Sequence, residues 1–162
     1  LQITRLFTQL PQFPQYSRIF CSCNAGQKTG VWCGKCPKCL SVFLHLSPFL
    51  PAPTLFTLFG KNFYDDPKLL PVFQQLLGFS GHKPFECVGT LAENRTAAYL
   101  TLHRPNSPLS SSSPLFPLVK KLRFTQAQAN AILKSWNPKH NLPENLKRSC
   151  LAASQGMTLI EC

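Results

Sequence analysis

Acidic residues are scarce in this 162-residue chain: six Asp+Glu stand against 17 Lys+Arg, for a formal charge of +11. Only Asp65 and Asp66 are adjacent, and a pair followed directly by Pro67 reads more simply as a helix cap than as a magnesium site. No run of about 18 apolar residues exists, which excludes a hydrophobic membrane-spanning helix. The first ten residues lack the basic-then-apolar order of a signal peptide, and the chain begins with Leu1, so it reads as a processed product or, more simply, as a piece of something longer. Missing too are a Gly-rich phosphate loop, a Gly-x-Ser-x-Gly elbow, a His-Glu-x-x-His pair and a dinucleotide fingerprint. Taken alone, the chain therefore carries no complete active site of a familiar class. Alternation of apolar and polar residues never runs beyond about four positions, so strands are not expected, and no internal repeat is present.

What is present is apolar material and cysteine. The chain is 44% hydrophobic, with 13 Phe, 15 Pro and eight Cys. That is enough for one core, as one domain or one domain with a tail. Five of the cysteines, Cys21, Cys23, Cys33, Cys36 and Cys39, fall in one short stretch, and Cys87, Cys150 and Cys162 are spread thinly. Disulfide frameworks usually distribute their cysteines, whereas Cys33-Gly34-Lys35-Cys36-Pro37-Lys38-Cys39 puts three thiols two residues apart on a turn that Gly34 can make. This spacing predicts a structural, four-ligand Zn2+ site formed by Cys23, Cys33, Cys36 and Cys39, with Cys21 as the alternative to Cys23. Lys28, Lys35 and Lys38 would offset the thiolate charge. Such a site belongs in a reducing compartment, so a cytoplasmic location is expected. Four thiolates with one Zn2+ lower the charge by two, to +9.

The helical signals are many. Apolar spacing predicts helices over residues 1–10 and 15–21 and a buried helix over 40–46 that starts at the knuckle, with His45 as a core histidine and not a ligand. Pro51 and Pro53 are expected to break the pattern before a helix over 54–59. Asp65-Asp66-Pro67 opens a helix whose buried stripe is Leu69, Leu70, Val72, Phe73, Leu76 and Leu77, stopped by Gly78. Further helices are expected over 90–103 and 125–136. The expected organisation is a zinc-knuckle helical domain over 1–105 with a candidate substrate loop at 79–89, a Pro/Ser-rich linker or insertion at 106–114, and a helical segment over 115–162 with a tail from Cys150. The fold class is mainly α, a small helical domain around the knuckle.

Two blocks carry a resemblance. Trp32-Cys33-Gly34-Lys35-Cys36-Pro37-Lys38-Cys39, with Val42-Phe43-Leu44 and Ser47-Pro48-Phe49-Leu50 after it, resembles a block of the bacterial UDP-N-acetylmuramoyl-L-alanyl-L-glutamate epimerase family. Gly81-His82-Lys83-Pro84-Phe85-Glu86-Cys87-Val88-Gly89 resembles a second block of that family, and Ser22-Cys23-Asn24 fits the segment before the first. The likeness runs over residues 1–99 and more loosely through Leu142-Pro143-Glu144. The cysteine array alone is also similar to that of 7-cyano-7-deazaguanine synthase and related ATP-pyrophosphatase-like enzymes.

The resemblance implies the C-terminal part of an α/β ATP-pyrophosphatase-like enzyme whose ATP-binding domain lies upstream, the fragment being inactive alone. It also implies ATP and Mg2+, bound mainly by that upstream domain, and a UDP-muramoyl-dipeptide substrate. An α-proton beside an ionised carboxylate is hard to remove, because the resulting anion stacks charge on charge. Forming an acyl-adenylate relieves this; one group then removes the proton and another returns it from the opposite face. On this resemblance the candidate catalytic residues are His82, Glu86 and Cys87, with Lys83 as a substrate-binding cation. The plain alternative is that the loop packs Phe85 into the core and caps the next helix. Competing readings of the whole chain are a basic zinc module binding nucleic acid, disfavoured by scattered Lys and Arg, and a secreted disulfide-rich effector.

Overall fold

In the computed structural model, which describes residues 1–154, there are nine α-helices, two single 3-10 turns and, among the described residues, no strand. The helices are α1 (Gln2–Gln9), α2 (Phe13–Ile19), α3 (Pro37–Leu46), α4 (Ala52–Phe59), α5 (Leu70–Leu77), α6 (Leu91–His103), α7 (Phe116–Lys120), α8 (Gln126–Leu133) and α9 (Glu144–Ser154). The mainly helical expectation holds. Cys162 and the end of the expected tail lie outside the described residues.

Several boundaries follow from proline chemistry. Pro51 and Pro53, expected as breakers, instead start α4: Pro51 is its N-cap and Pro53 lies in its first turn. A proline there forfeits only an N–H that has no intrahelical partner, and its fixed φ suits the helix. Pro14 likewise begins α2 two residues earlier than the apolar spacing suggested. Asp66 caps a short 3-10 turn, its side chain accepting from the Lys68 N–H at 3.0 Å, and α5 follows directly. The buried stripe there is narrower than expected. Leu69, Phe73, Leu76 and Leu77 are buried, while Leu70 and Val72 are only partly covered.

The two polar helices start on capping boxes that satisfy otherwise orphaned backbone donors. Thr90 and Glu93 form one at α6, and Thr125 and Gln128 form the other at α8. The last helix, α9, lies within the helical segment expected over 115–162 and runs on past Cys150. At the centre, α6 packs against α3, α5 and α8, and α3 also meets α1, α4 and α5.

The phenylalanines explain how so small a chain holds a core. Ring contacts run as one string from Phe7 to Phe20 (5.9 Å), Trp32 (5.7 Å), Phe59 (4.8 Å), Phe43 (5.2 Å) and Tyr64 (5.1 Å), with Phe63 4.7 Å from Phe43. These edge-on and tilted pairs join α1, the cysteine segment, α3 and α4. Residues 106–114, expected as a linker or insertion, bury Leu109 and Ser113 against the body. Ser113 donates to Asp65, and the Asn62 amide donates to the Pro108 carbonyl at 2.9 Å. A hydroxyl and a backbone carbonyl that find side-chain partners on the body hold this serine-rich stretch in place with little apolar bulk.

Candidate metal centre and the loop beside it

The cysteine segment is built by two turns facing each other. Cys36 is the N-cap of α3, its Sγ accepting from the Cys39 N–H at 3.4 Å, with Pro37 in the first turn. Gly34 has φ +66°, the left-handed conformation that sends the chain back between Cys33 and Cys36. Across from it, the Cys23 Sγ accepts from the Gly26 N–H at 3.1 Å and the Cys33 N–H at 3.4 Å.

These turns bring the sulfurs of Cys23, Cys33, Cys36 and Cys39 within 4.8 Å of one another. Sulfur separations are 3.9 Å for Cys23–Cys36, 3.7 Å for Cys33–Cys39 and 3.4 Å for Cys36–Cys39. A tetrahedron with Zn–S of about 2.3 Å has edges of about 3.8 Å, so this donor set fits a four-coordinate Zn2+. A disulfide needs about 2.05 Å, and none of these distances approaches it. Cys21, the alternative fourth donor, is free and lies outside the group.

The electrostatics of the cluster divide by hydrogen bonding. Burial raises the Cys23 thiol, but the N–H donors of Cys33 and Gly26 outweigh it and bring it down to about 6. Burial pushes Cys36 and Cys39 upward.

The second block lies beside this centre. Asn24, next to Cys23, donates its Nδ2 to Glu86 Oε2 at 3.2 Å and accepts from Lys38 Nζ at 3.5 Å. Ser41 on α3 donates its hydroxyl to the Val88 carbonyl at 2.9 Å, and both residues are buried. Gly89, at φ +70°, sits against the imidazole of His45: a Cβ there would fall 2.6 Å from His45 Cε1. His82 and Cys87 face solvent, and Lys83 Nζ lies 3.5 Å from the Pro84 carbonyl. Phe85 is fully exposed, so it does not pack into the core. The other half of that plain alternative, a cap on the next helix, is present at Thr90. Asn24 and Ser41 were not among the residues expected at a site. The only sequence signals were Asn24 standing beside a ligand and Ser41 standing alone inside an apolar helix.

His45 is a buried core histidine, as expected, with Nε2 2.7 Å from Asn94 Oδ1 while the Asn94 amide donates to the Leu76 carbonyl at 2.9 Å. Burial lowers its pKa to about 4, against the opposing pull of Asn94 and Glu93. The imidazole is thus neutral in the fold, while in the unfolded chain it protonates near 6.5. Its contribution to stability is complete above about pH 6.5 and is lost as pH falls towards 4. Urea unfolding of the wild type and His45→Gln should show their stability difference shift by about 3 kcal/mol against the wild type between pH 7 and pH 4. A difference independent of pH would show that His45 is not held neutral.

The model of the MurL C-terminal domain family matches residues 19–131. Among curated proteins the chain is similar to the UDP-N-acetyl-alpha-D-muramoyl-L-alanyl-L-glutamate epimerase of a Micromonospora species, at 41% identity over 104 residues, covering 62% of this chain and 23% of the relative. The Salinispora tropica enzyme of the same name is 42% identical over 104 residues, covering 62% of this chain and 22% of the relative. For the Xanthomonas oryzae pv. oryzae enzyme the figures are 43% over 95 residues, 55% and 21%. No solved structure matches the chain. The chain spans less than a quarter of the length of these relatives. The family match takes in the cysteine turns, α3 and the loop packed on it, and with 19–131 covering well over half of the sequence, this chain belongs to the MurL C-terminal domain family.

Proposed function

We propose that this chain is the C-terminal part of an ATP-dependent epimerase that inverts the α-carbon of the terminal L-glutamate of a UDP-muramoyl-dipeptide, in peptidoglycan precursor synthesis. One observation carries the reading: the two blocks that resemble the epimerases fold onto each other, with Glu86 on Asn24 and Val88 on Ser41. ATP and Mg2+ belong to a preceding domain, of α/β ATP-pyrophosphatase type, and serve to activate the glutamate carboxylate.

This chain supplies the loop. His82 and Cys87 stand exposed on it, free to meet a substrate carried by another domain. In the proposal they form the acid–base pair, one taking the α-proton and the other delivering a proton to the opposite face. Glu86 keeps the loop in place through Asn24, and Lys83 meets an anionic group of the substrate. Cys23, Cys33, Cys36 and Cys39 hold a Zn2+ whose role is structural, because four protein ligands leave no position for substrate. The basic charge suits a substrate and co-substrate that are both polyanions. In this proposal the activity is cytoplasmic, a reading supported by the thiol cluster's need for a reducing compartment. Among the described residues no helix is long and apolar enough to cross a membrane.

The test uses a full-length epimerase of this family carrying the equivalents of His82→Ala and Cys87→Ser. Each should lower the epimerisation rate by about 100-fold, with incorporation of solvent deuterium at the α-carbon falling in step. Near-native rates in both variants would leave the loop a structural element.

A further inference from the structure

We propose that Asn24 and Ser41 are positioning residues that couple the four-cysteine centre to the 82–87 loop, so that occupancy of the centre by metal sets how firmly the loop is held. This rests on the reading of Cys23, Cys33, Cys36 and Cys39 as metal ligands.

Apart from Val88, buried in the core, and Gly89 against His45, the loop packs little on the body. Its internal hydrogen bonds, Glu86 N–H to the Pro84 carbonyl and Val88 N–H to the Glu86 carbonyl, both 2.8 Å, close tight local turns without joining it to the body. Phe85 at its tip touches solvent on all sides. The side-chain hydrogen bonds from Asn24 and Ser41 that join it to the body start one or two residues from a cysteine of the centre. Asn24 follows Cys23 directly and carries Glu86 at 3.2 Å. Its other side-chain atom takes Lys38, which lies between Cys36 and Cys39. Ser41 is two residues beyond Cys39 and holds the Val88 carbonyl in a buried bond. Cys87 is thus bracketed by residues 86 and 88, each tied to one of the two halves of the cysteine centre.

A metal ion fixes those halves to one another. Without it, the Cys23 segment meets the Cys33 N–H and the Cys36 sulfur only through contacts to sulfur, and α3 only through these and the exposed Asn24–Lys38 bond, all of them weak. Their relaxation moves Asn24 away from Glu86 and loosens the first turn of α3 below Ser41. The two bonds differ in strength. The Asn24 bond is exposed and contributes little, while the Ser41 bond is buried and its loss leaves an unpaired carbonyl.

Hydrogen–deuterium exchange of the full chain tests this, with zinc content measured on the same samples. Starting from the zinc-loaded chain, a chelator at neutral pH should raise exchange at residues 85–88 by about tenfold more than it raises exchange in α6 and α8. Ser41→Ala should raise exchange at 85–88 to a similar degree with zinc still bound, and Asn24→Ala should do so to a smaller one. Chelation that empties the centre yet leaves 85–88 unchanged would overturn the coupling. So would Ser41→Ala and Asn24→Ala variants whose loops exchange as in the wild type, or a uniform rise across α6 and α8 showing global opening. A chain that takes up no zinc at all would instead sink the metal reading itself.

Discussion

Cys36→Ser should lower the zinc content of the purified chain from about one per molecule to near zero and lower the melting temperature by more than about 10 °C. The substitution separates two roles of Cys36. As the N-cap of α3, Cys36 accepts the Cys39 N–H through sulfur, and serine is a better cap than cysteine. What the variant loses is the thiolate that lies 3.9 Å from Cys23 and 3.4 Å from Cys39. Structural zinc contributes roughly 10–16 kcal/mol of apparent binding free energy in small domains, so losing one of four ligands outweighs any gain at the cap. At about 2–4 °C per kcal/mol for a chain of this size, even a fraction of that energy exceeds 10 °C. Cys21→Ser is the control and should leave both quantities unchanged, since Cys21 lies outside the sulfur group. Elemental analysis and a thermal melt check both variants. A Cys36→Ser chain with full zinc and an unchanged melt would mean that the four sulfurs do not bind metal.

Phe43→Ala should cost about 3–5 kcal/mol, the range for emptying a buried aromatic site. Phe43 is fully buried and contacts the rings of Phe59, Phe63 and Tyr64 at 5.2, 4.7 and 5.1 Å. It sits four residues after Cys39 on α3, where the metal segment and the aromatic string share one helix. The cavity cannot collapse easily, because each neighbouring ring is pinned by another ring behind it. Phe85→Ala, the same chemical change at a fully exposed ring, should alter stability by less than about 0.5 kcal/mol. Urea unfolding of the two variants measures the contrast directly. A loss below about 1 kcal/mol at Phe43 would mean the rings are not packed as described.

Much of the local structure could be read from residue order alone. Cysteine spacing placed the knuckle, and helices were legible over 90–103 and 125–136, where α6 and α8 lie, because these signals act within a few turns of chain; the Thr90 and Thr125 capping boxes emerged only in the structure. Proline was read too bluntly: at Pro51 and Pro53 the same ring that stops a helix from inside starts one from its first turn. The choice between Cys21 and Cys23 was not legible either. Both are at suitable separations along the chain, and only the fold, which brings the Cys23 sulfur into the group and turns the N–H groups of Gly26 and Cys33 onto it, distinguishes them.

The sequence by itself determined that this protein is a helical module with a four-thiol cluster and two blocks shared with an epimerase family. These properties are carried by neighbours in the chain, where spacing, capping and turn chemistry act at short range. Only the tertiary structure decided that the two blocks lie together, that Phe43 is interior and Phe85 exterior, and that residues 106–114 pack against the body. Each of those outcomes depends on groups far apart in sequence: Ser41 and Val88, Asn24 and Glu86, Asp65 and Ser113. A hydroxyl or a phenyl ring reads the same along the chain wherever it ends up. Whether it finds a partner is settled when the helices pack.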